Sequence, residues 1–175
     1  MKKLSMYLIA ATMLVACGRK SGNKDLISEP LRPAGITWKK MDIPHIGTAE
    51  VPSGDGWEVT NAGHQEFYNK KLDLTIMVQN QPGDAREQAG EFTKGLIDAN
   101  KRDAPKYKVI NEKQGSINGN TASLIDGTFN NGTEYATRDY IIFKSDGVLS
   151  LMCRAAKGHE KEMQAIIDYM TASVK

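Results

Sequence analysis

Two stretches of this chain stay apolar where a half-exposed strand would alternate: LTIMV at residues 74–78 and YIIF at residues 140–143. Runs of that length suit strands covered on both faces. Weaker strand-like pieces precede the first run at GTAEVP, GWEVTN and QEFYN, and Pro82 with Gly83 ends it. The period then changes. Asp84 and Glu87 form a start resembling a capping box, and Ala85, Ala89, Phe92, Leu96 and Ala99 recur at helical spacing to about Arg102, before Pro105. Beyond it, Asn118-Gly119, Asn131-Gly132 and Asp146-Gly147 are dipeptides suited to tight turns. They predict four antiparallel strands, near 107–117, 121–129, 134–144 and 148–155. A last helix from about His159 carries Met163, Ile166, Ile167, Met170 and Val174 on one side. Strands, helix, meander and helix together predict an α+β fold, an antiparallel β-sheet sandwiched between helices as an α/β/α sandwich.

The N-terminus has a different character. Lys2 and Lys3 precede an apolar run from Leu4 to Ala16, the layout of an export signal. The run is shorter than the ~20 residues needed to span a bilayer. Its end, LVAC at residues 14–17, resembles the lipobox of bacterial lipoproteins. That resemblance implies cleavage of residues 1–16, lipid on the Cys17 thiol and an acylated new amine. Gly18 is not the inner-membrane retention signal of Gram-negative lipoproteins, which points to the outer membrane, facing the periplasm. Residues 17–37 then read as the lipidated cysteine and a flexible tether containing Pro30 and Pro33, and residues 38–175 as one domain. Fully extended, residues 18–35 would reach on the order of 60 Å.

Charge changes the picture once the signal is set aside. The chain carries a formal charge of +2, but Lys2 and Lys3 lie in the removed segment, leaving 21 basic residues against 21 acidic ones. Net charge therefore gives no case for nucleic-acid binding. Lys101, Arg102, Lys106 and Lys108 read as a complement to the dipole of the helix they end.

Candidate chemistry is sparse. With Cys17 lipidated, Cys153 has no partner in the chain, and Leu149, Leu151, Cys153 and Ala155 alternate onto one face, so Cys153 reads as a core thiol. Met77, Met152, Met163 and Met170 fall in separate elements and read as core filler. The three histidines, His45, His64 and His159, come with no G-x-S-x-G elbow. His64 and Glu66 share a strand face and are the weak metal candidates, with His45 or Asp55 as further ligands only through the fold. An exposed polar strand face explains that pair more simply. Trp57, Phe67 and Tyr68, in strands of mixed polarity, either form a partner-binding surface or roof the core. No catalytic residue set and no cofactor are expected.

The element order, with VPSGDGWEV at its start, resembles the PsbP-like fold, named for an extrinsic subunit of photosystem II. The lipobox, LTIMVQNQPGDAREQ and the Asn-Gly meander look like the DcrB-type periplasmic lipoproteins. The resemblance covers roughly residues 45–175 and implies accessory or assembly modules that bind other proteins. The expectation is a non-catalytic, lipid-anchored envelope protein that binds another envelope protein. The alternative is a small-ligand or metal-binding periplasmic lipoprotein.

Overall fold

The computed structural model describes residues 24–54, 56–61 and 65–175, with only the backbone of Asn61. Cys17, Asp55 and His64, and with them the lipobox and the His64–Glu66 pair, lie outside the described residues.

The described residues form nine strands and two α-helices: β1 (Thr37–Ile43), β2 (Gly47–Ser53), β3 (Trp57–Asn61), β4 (Gln65–Asn69), β5 (Leu74–Pro82), α1 (Ala89–Asp103), β6 (Lys108–Ile117), β7 (Asn120–Asn130), β8 (Glu134–Phe143), β9 (Gly147–Ala156) and α2 (Glu160–Ala172). Seven strands form one antiparallel sheet in the order β3-β4-β5-β9-β8-β7-β6. The expected meander lies within one residue of its predicted ends. Its first turn has both Asn118 and Gly119 at positive φ, the two-residue geometry that matches strand twist. The Asn118 side chain also donates to the Ala172 and Val174 carbonyls at 3.0 and 2.7 Å, tying that turn to the end of α2.

The YIIF run is continuous because successive residues enter different cores, whereas in LTIMV only Leu74, Ile76 and Val78 enter a core and Thr75 and Met77 join neither, so the expected cover on the second face is missing there. Leu124, Tyr140, Ile142, Leu149, Leu151 and Cys153 join Met163, Ile166, Ile167 and Met170 of α2. Ile125, Ile141, Phe143 and Val148 face the other way, toward Ala89 and Ile97 of α1. The result is the expected α/β/α arrangement. A half-buried polar link crosses the first interface: Arg138 Nε lies 2.7 Å from Asp126, its Nη1 lies 3.1 Å from Asp168, and the Tyr140 hydroxyl donates to Asp168 at 2.7 Å.

Four local features add to the expectations or correct them. First, Thr37–Ile43 is a strand: β1 pairs with β2 as a separate hairpin on the α2 face, where Trp38 meets the Tyr169 ring at 4.7 Å. Second, no capping box forms. Asp84 accepts from the Arg86 amide at 3.0 Å and holds the Arg86 guanidinium at 2.9 Å. Third, a 3-10 turn, Arg86–Gln88, advances the phase before α1 begins, so its buried face is Ala89, Thr93 and Ile97, with Phe92 and Leu96 flanking it. Thr93 is tolerated there because its hydroxyl sits 2.7 Å from the Ala89 carbonyl and 2.9 Å from the Ser123 hydroxyl.

The fourth feature corrects the tether, which is docked from Lys24 onward. The Ser116 amide donates to the Lys24 carbonyl at 3.1 Å, and the Leu26 amide donates to the Ser116 carbonyl at 2.9 Å. The Ser116 hydroxyl adds a bond to Asp25 at 2.7 Å. Leu26, Ile27 and Ile36 pack against the α2-side core, and Arg32 lies over the Tyr169 ring. The contact requires a glycine at 115, because a Cβ there would lie 2.3 Å from the Lys24 carbonyl oxygen. A polar strap with three aliphatic side chains thus behaves as part of the domain.

Candidate functional site

Strand register decides which residues share the site. One row across the sheet pairs Glu66 with Met77, Met152 and Asp139, and the next pairs Tyr68 with Thr75, Arg154 and Thr137. Paired side chains in an antiparallel sheet project to the same face. Thr137 and Asp139 lie on the same strand face as Ile141 and Phe143, so this is the α1 face. Helix α1 lies against β7, covers Val148 at the start of β9, and leaves open the β4 and β5 part of that face with the Met152–Arg154 end of β9.

Where the end of α1 meets the open region there is a cleft of about 280 Å³. Met77, Met152, Phe129 and Pro105 give it apolar walls, with Thr75 and Thr137 from the sheet and Asn100, Asp103 and Tyr107 from the α1 side. Asp139 lies at the floor, 3 % exposed, and accepts from the Asn100 side chain at 3.2 Å. Burial pushes its carboxyl up to about 7, against the pull of bonds from Asn100 and the Cys153 amide. No ion pair to Asp139 is formed among the described residues. The Tyr107 and Thr137 hydroxyls are buried beside it without a partner in hydrogen-bond geometry. Burial raises the Tyr107 hydroxyl too, and the Asp139 charge adds to that, while the nearby Asn100 and Thr137 side chains pull the other way.

Gly127 makes this floor possible. A Cβ there would stand 2.6 Å from the Tyr107 hydroxyl oxygen and 2.9 Å from Thr137 Oγ1, closer than side chains tolerate. The polar floor therefore combines α1, the loop after it and β8, joined over one bare position of β7.

The sequence-predicted residues divide between the two faces. Glu66 and Tyr68 are half-buried on the cleft face, where the Tyr68 hydroxyl donates to Asp73 at 3.4 Å. Phe67 points oppositely, is 3 % exposed and belongs to the α2-side core, so it roofs the core and offers no surface. Trp57 is half-buried against the same core. Val59, 58 % exposed on edge strand β3, was not singled out. Cys153 is 2 % exposed, and burial raises its thiol well above the ordinary value. Among the described residues no group of three or more His, Cys, Asp and Glu side chains is arranged to hold a metal ion. No described helix is long and apolar enough to cross a membrane.

Comparison with known proteins adds to this geometry. No family model matches the chain, and no curated protein matches it significantly. Solved structures do. LpqN of Mycobacterium tuberculosis, described as involved in cell envelope biogenesis, aligns with a TM-score of 0.54 and 14% identity over 78% of this chain and 88% of its own. Cyanobacterial PsbP (CyanoP) from Synechocystis sp. aligns with a TM-score of 0.50 and 14% identity over 83% of this chain and 96% of its own. The fold is PsbP-like. A Bacteroides thetaiotaomicron protein also aligns at a TM-score of 0.54 and 15% identity, but this chain spans only 47% of it. At such identities the likeness establishes the PsbP-like fold and nothing about the site.

Proposed function

We propose that this chain is a non-catalytic, lipid-anchored bacterial envelope protein, similar to the DcrB type, that binds another protein to assemble or stabilise an envelope complex. It binds through the open face of its sheet. The observation that carries this reading is the incomplete cover: α1 roofs β7 and β8 and leaves a contiguous face of β4, β5 and the Met152–Arg154 end of β9 bordered by a cleft. Met77 and Met152 sit there half-buried, and flexible thioether side chains suit a surface that adapts to a partner. Lipid on Cys17 would hold the protein at the periplasmic side of the outer membrane. The shared fold with LpqN is in keeping with an envelope role.

The alternative, a small-ligand lipoprotein, draws on the same cleft, whose volume lies at the lower limit of the ~300–1,000 Å³ usual for small-molecule pockets. Complementation of a deletion strain tests the proposal. Met77→Trp and Met152→Trp, which fill the cleft, should fail to complement while circular dichroism shows them folded. His45→Ala and His159→Ala should complement. Full complementation by the cleft-filled variants, with a folded histidine variant behaving as the deletion, would overturn the reading in favour of a histidine-centred site.

A further inference from the structure

We infer that the cleft receives a primary ammonium group on an aliphatic stem, presented as a lysine side chain of the protein partner. The inference rests on the open face being the binding surface, and it specifies the chemistry that surface selects. Three features of the cleft converge on it.

The first is shape. A space of about 280 Å³ walled by Met77, Met152 and Phe129 suits one long side chain better than a cofactor. The second is the floor. Asp139, Thr137 Oγ1 and Tyr107 Oη gather three oxygens beneath the cleft; the two hydroxyls are sealed on side chains more than nine-tenths buried, where Tyr107 lies close to Asn100 and Thr137 but neither hydroxyl meets a partner in good hydrogen-bond geometry. An ammonium group has three donors and no acceptor, so it matches three acceptor oxygens. A buried hydroxyl left unpaired is costly, and a donor arriving from a partner relieves that cost.

The third feature is charge. Asp103 also lines the cleft but is paired with Arg102 at 2.7 Å, so Asp139 is the lining carboxylate left without an ion pair among the described residues. Arg154, the one basic residue among the lining side chains, is exposed, and its charge acts on Tyr68 and Tyr135. A carboxylate ligand would meet like charge at the floor. A neutral alcohol would satisfy a hydroxyl but leave the buried acid without a counter-ion. The elevated Asp139 is what a buried carboxyl without a cation should show, and a seated ammonium would favour its ionised form.

The test uses the whole mature chain, residues 17–175, with Cys17→Ser, titrated with n-pentylamine and with n-pentanol while amide resonances are followed. The amine should shift the Asn100 side-chain amide and the Cys153 backbone amide. Asp139→Asn should weaken amine binding by about tenfold or more, and n-pentanol should bind the wild type more weakly by a similar factor. Met152→Trp, which leaves Asp139 in place, should also abolish the shifts. A second arm compares a short peptide carrying one lysine with its norleucine twin. Tighter binding of the lysine peptide supports a partner side chain; equal binding of the twins, with n-pentylamine still bound, overturns that source in favour of free amines. Equal binding of alcohol and amine, or an Asp139→Asn variant that binds amine as the wild type does, overturns the proposal. The envelope-binding reading stands or falls separately, by complementation in cells.

Discussion

Replacing Asp139 with asparagine should stabilise this protein, and increasingly so as the pH rises. The carboxyl is 3 % exposed, and burial pushes it from its ordinary value of 3.8 to about 7. Between those values the folded state holds a proton that the unfolded chain has released, so wild-type stability falls as pH rises. The contribution is fully present below 3.8 and gone above about 7. At about 1.4 kcal/mol per pH unit the whole swing is about 4 kcal/mol as an upper figure. Neighbouring charged and titratable groups are Asp103 and Tyr107 from the α1 side, Asp126 on β7 and Cys153 on β9. All are retained in the variant. Asparagine keeps an oxygen for the Asn100 amide and offers donors toward the orphaned hydroxyls, so it removes the charge without opening a cavity. Urea unfolding of both proteins should show the advantage of Asp139→Asn growing by about 2 to 3 kcal/mol between about pH 5 and about pH 8. The pull of Asp84, which Arg86 lowers to about 2, is common to both proteins and cancels in the difference. A difference that does not change with pH, or a variant less stable throughout, would refute the burial argument.

Other parts of the account are open to equally direct tests. Gly115→Val should expel the strap, because the new Cβ would meet the Lys24 carbonyl oxygen at 2.3 Å and Leu26 Cδ2 at 2.9 Å. Limited trypsin digestion should then cut after Lys24 rapidly, with stability lower by roughly 1 to 3 kcal/mol; unchanged protection at Lys24 contradicts the docking. The Cys153 thiol should react with maleimide slowly in the native chain and fast only after denaturation, since burial both hides it and disfavours the thiolate; fast native labelling contradicts the register of β9. Cells fed a labelled fatty acid should label the wild type, whereas Cys17→Ala should be unlabelled and retain residues 1–16; equal labelling of both forms sinks the lipid anchor.

Much of the architecture was legible because it is written in local signals. Asn118-Gly119 and the apolar runs placed β6 to β9 nearly to the residue, and the alternation around Cys153 assigned its face. Elements whose stability comes from distant packing were not legible. The pattern assigns no element to TWKKMDI, yet Trp38 and Ile43 bury in the α2-side core. Leu26 and Ile27 look isolated in a polar stretch until Gly115 gives them a place to dock. The α1 face was misread because Thr93 counts as polar in any periodicity, although Ser123 and its own helix satisfy it. The cleft was invisible as a motif, since Asn100, Tyr107 and Asp139 come from three elements and meet only through the register. One signal did exist: Asp139 stands immediately before YIIF, a run read as covered on both faces, where a carboxylate is expected only with a purpose or a partner.

The central claim, that the open face of the sheet binds an envelope protein, is tested most directly by site-specific photocrosslinking in cells. A photoreactive residue replacing Asn131, exposed at the cleft rim, or Glu66, on the open sheet, should capture one and the same partner protein. The same group replacing Glu162, exposed on α2 across the molecule, should capture none, and Met152→Trp should abolish the Asn131 adduct. A partner captured from Glu162 and not from Asn131 or Glu66 would place the binding surface on the opposite face and contradict the account.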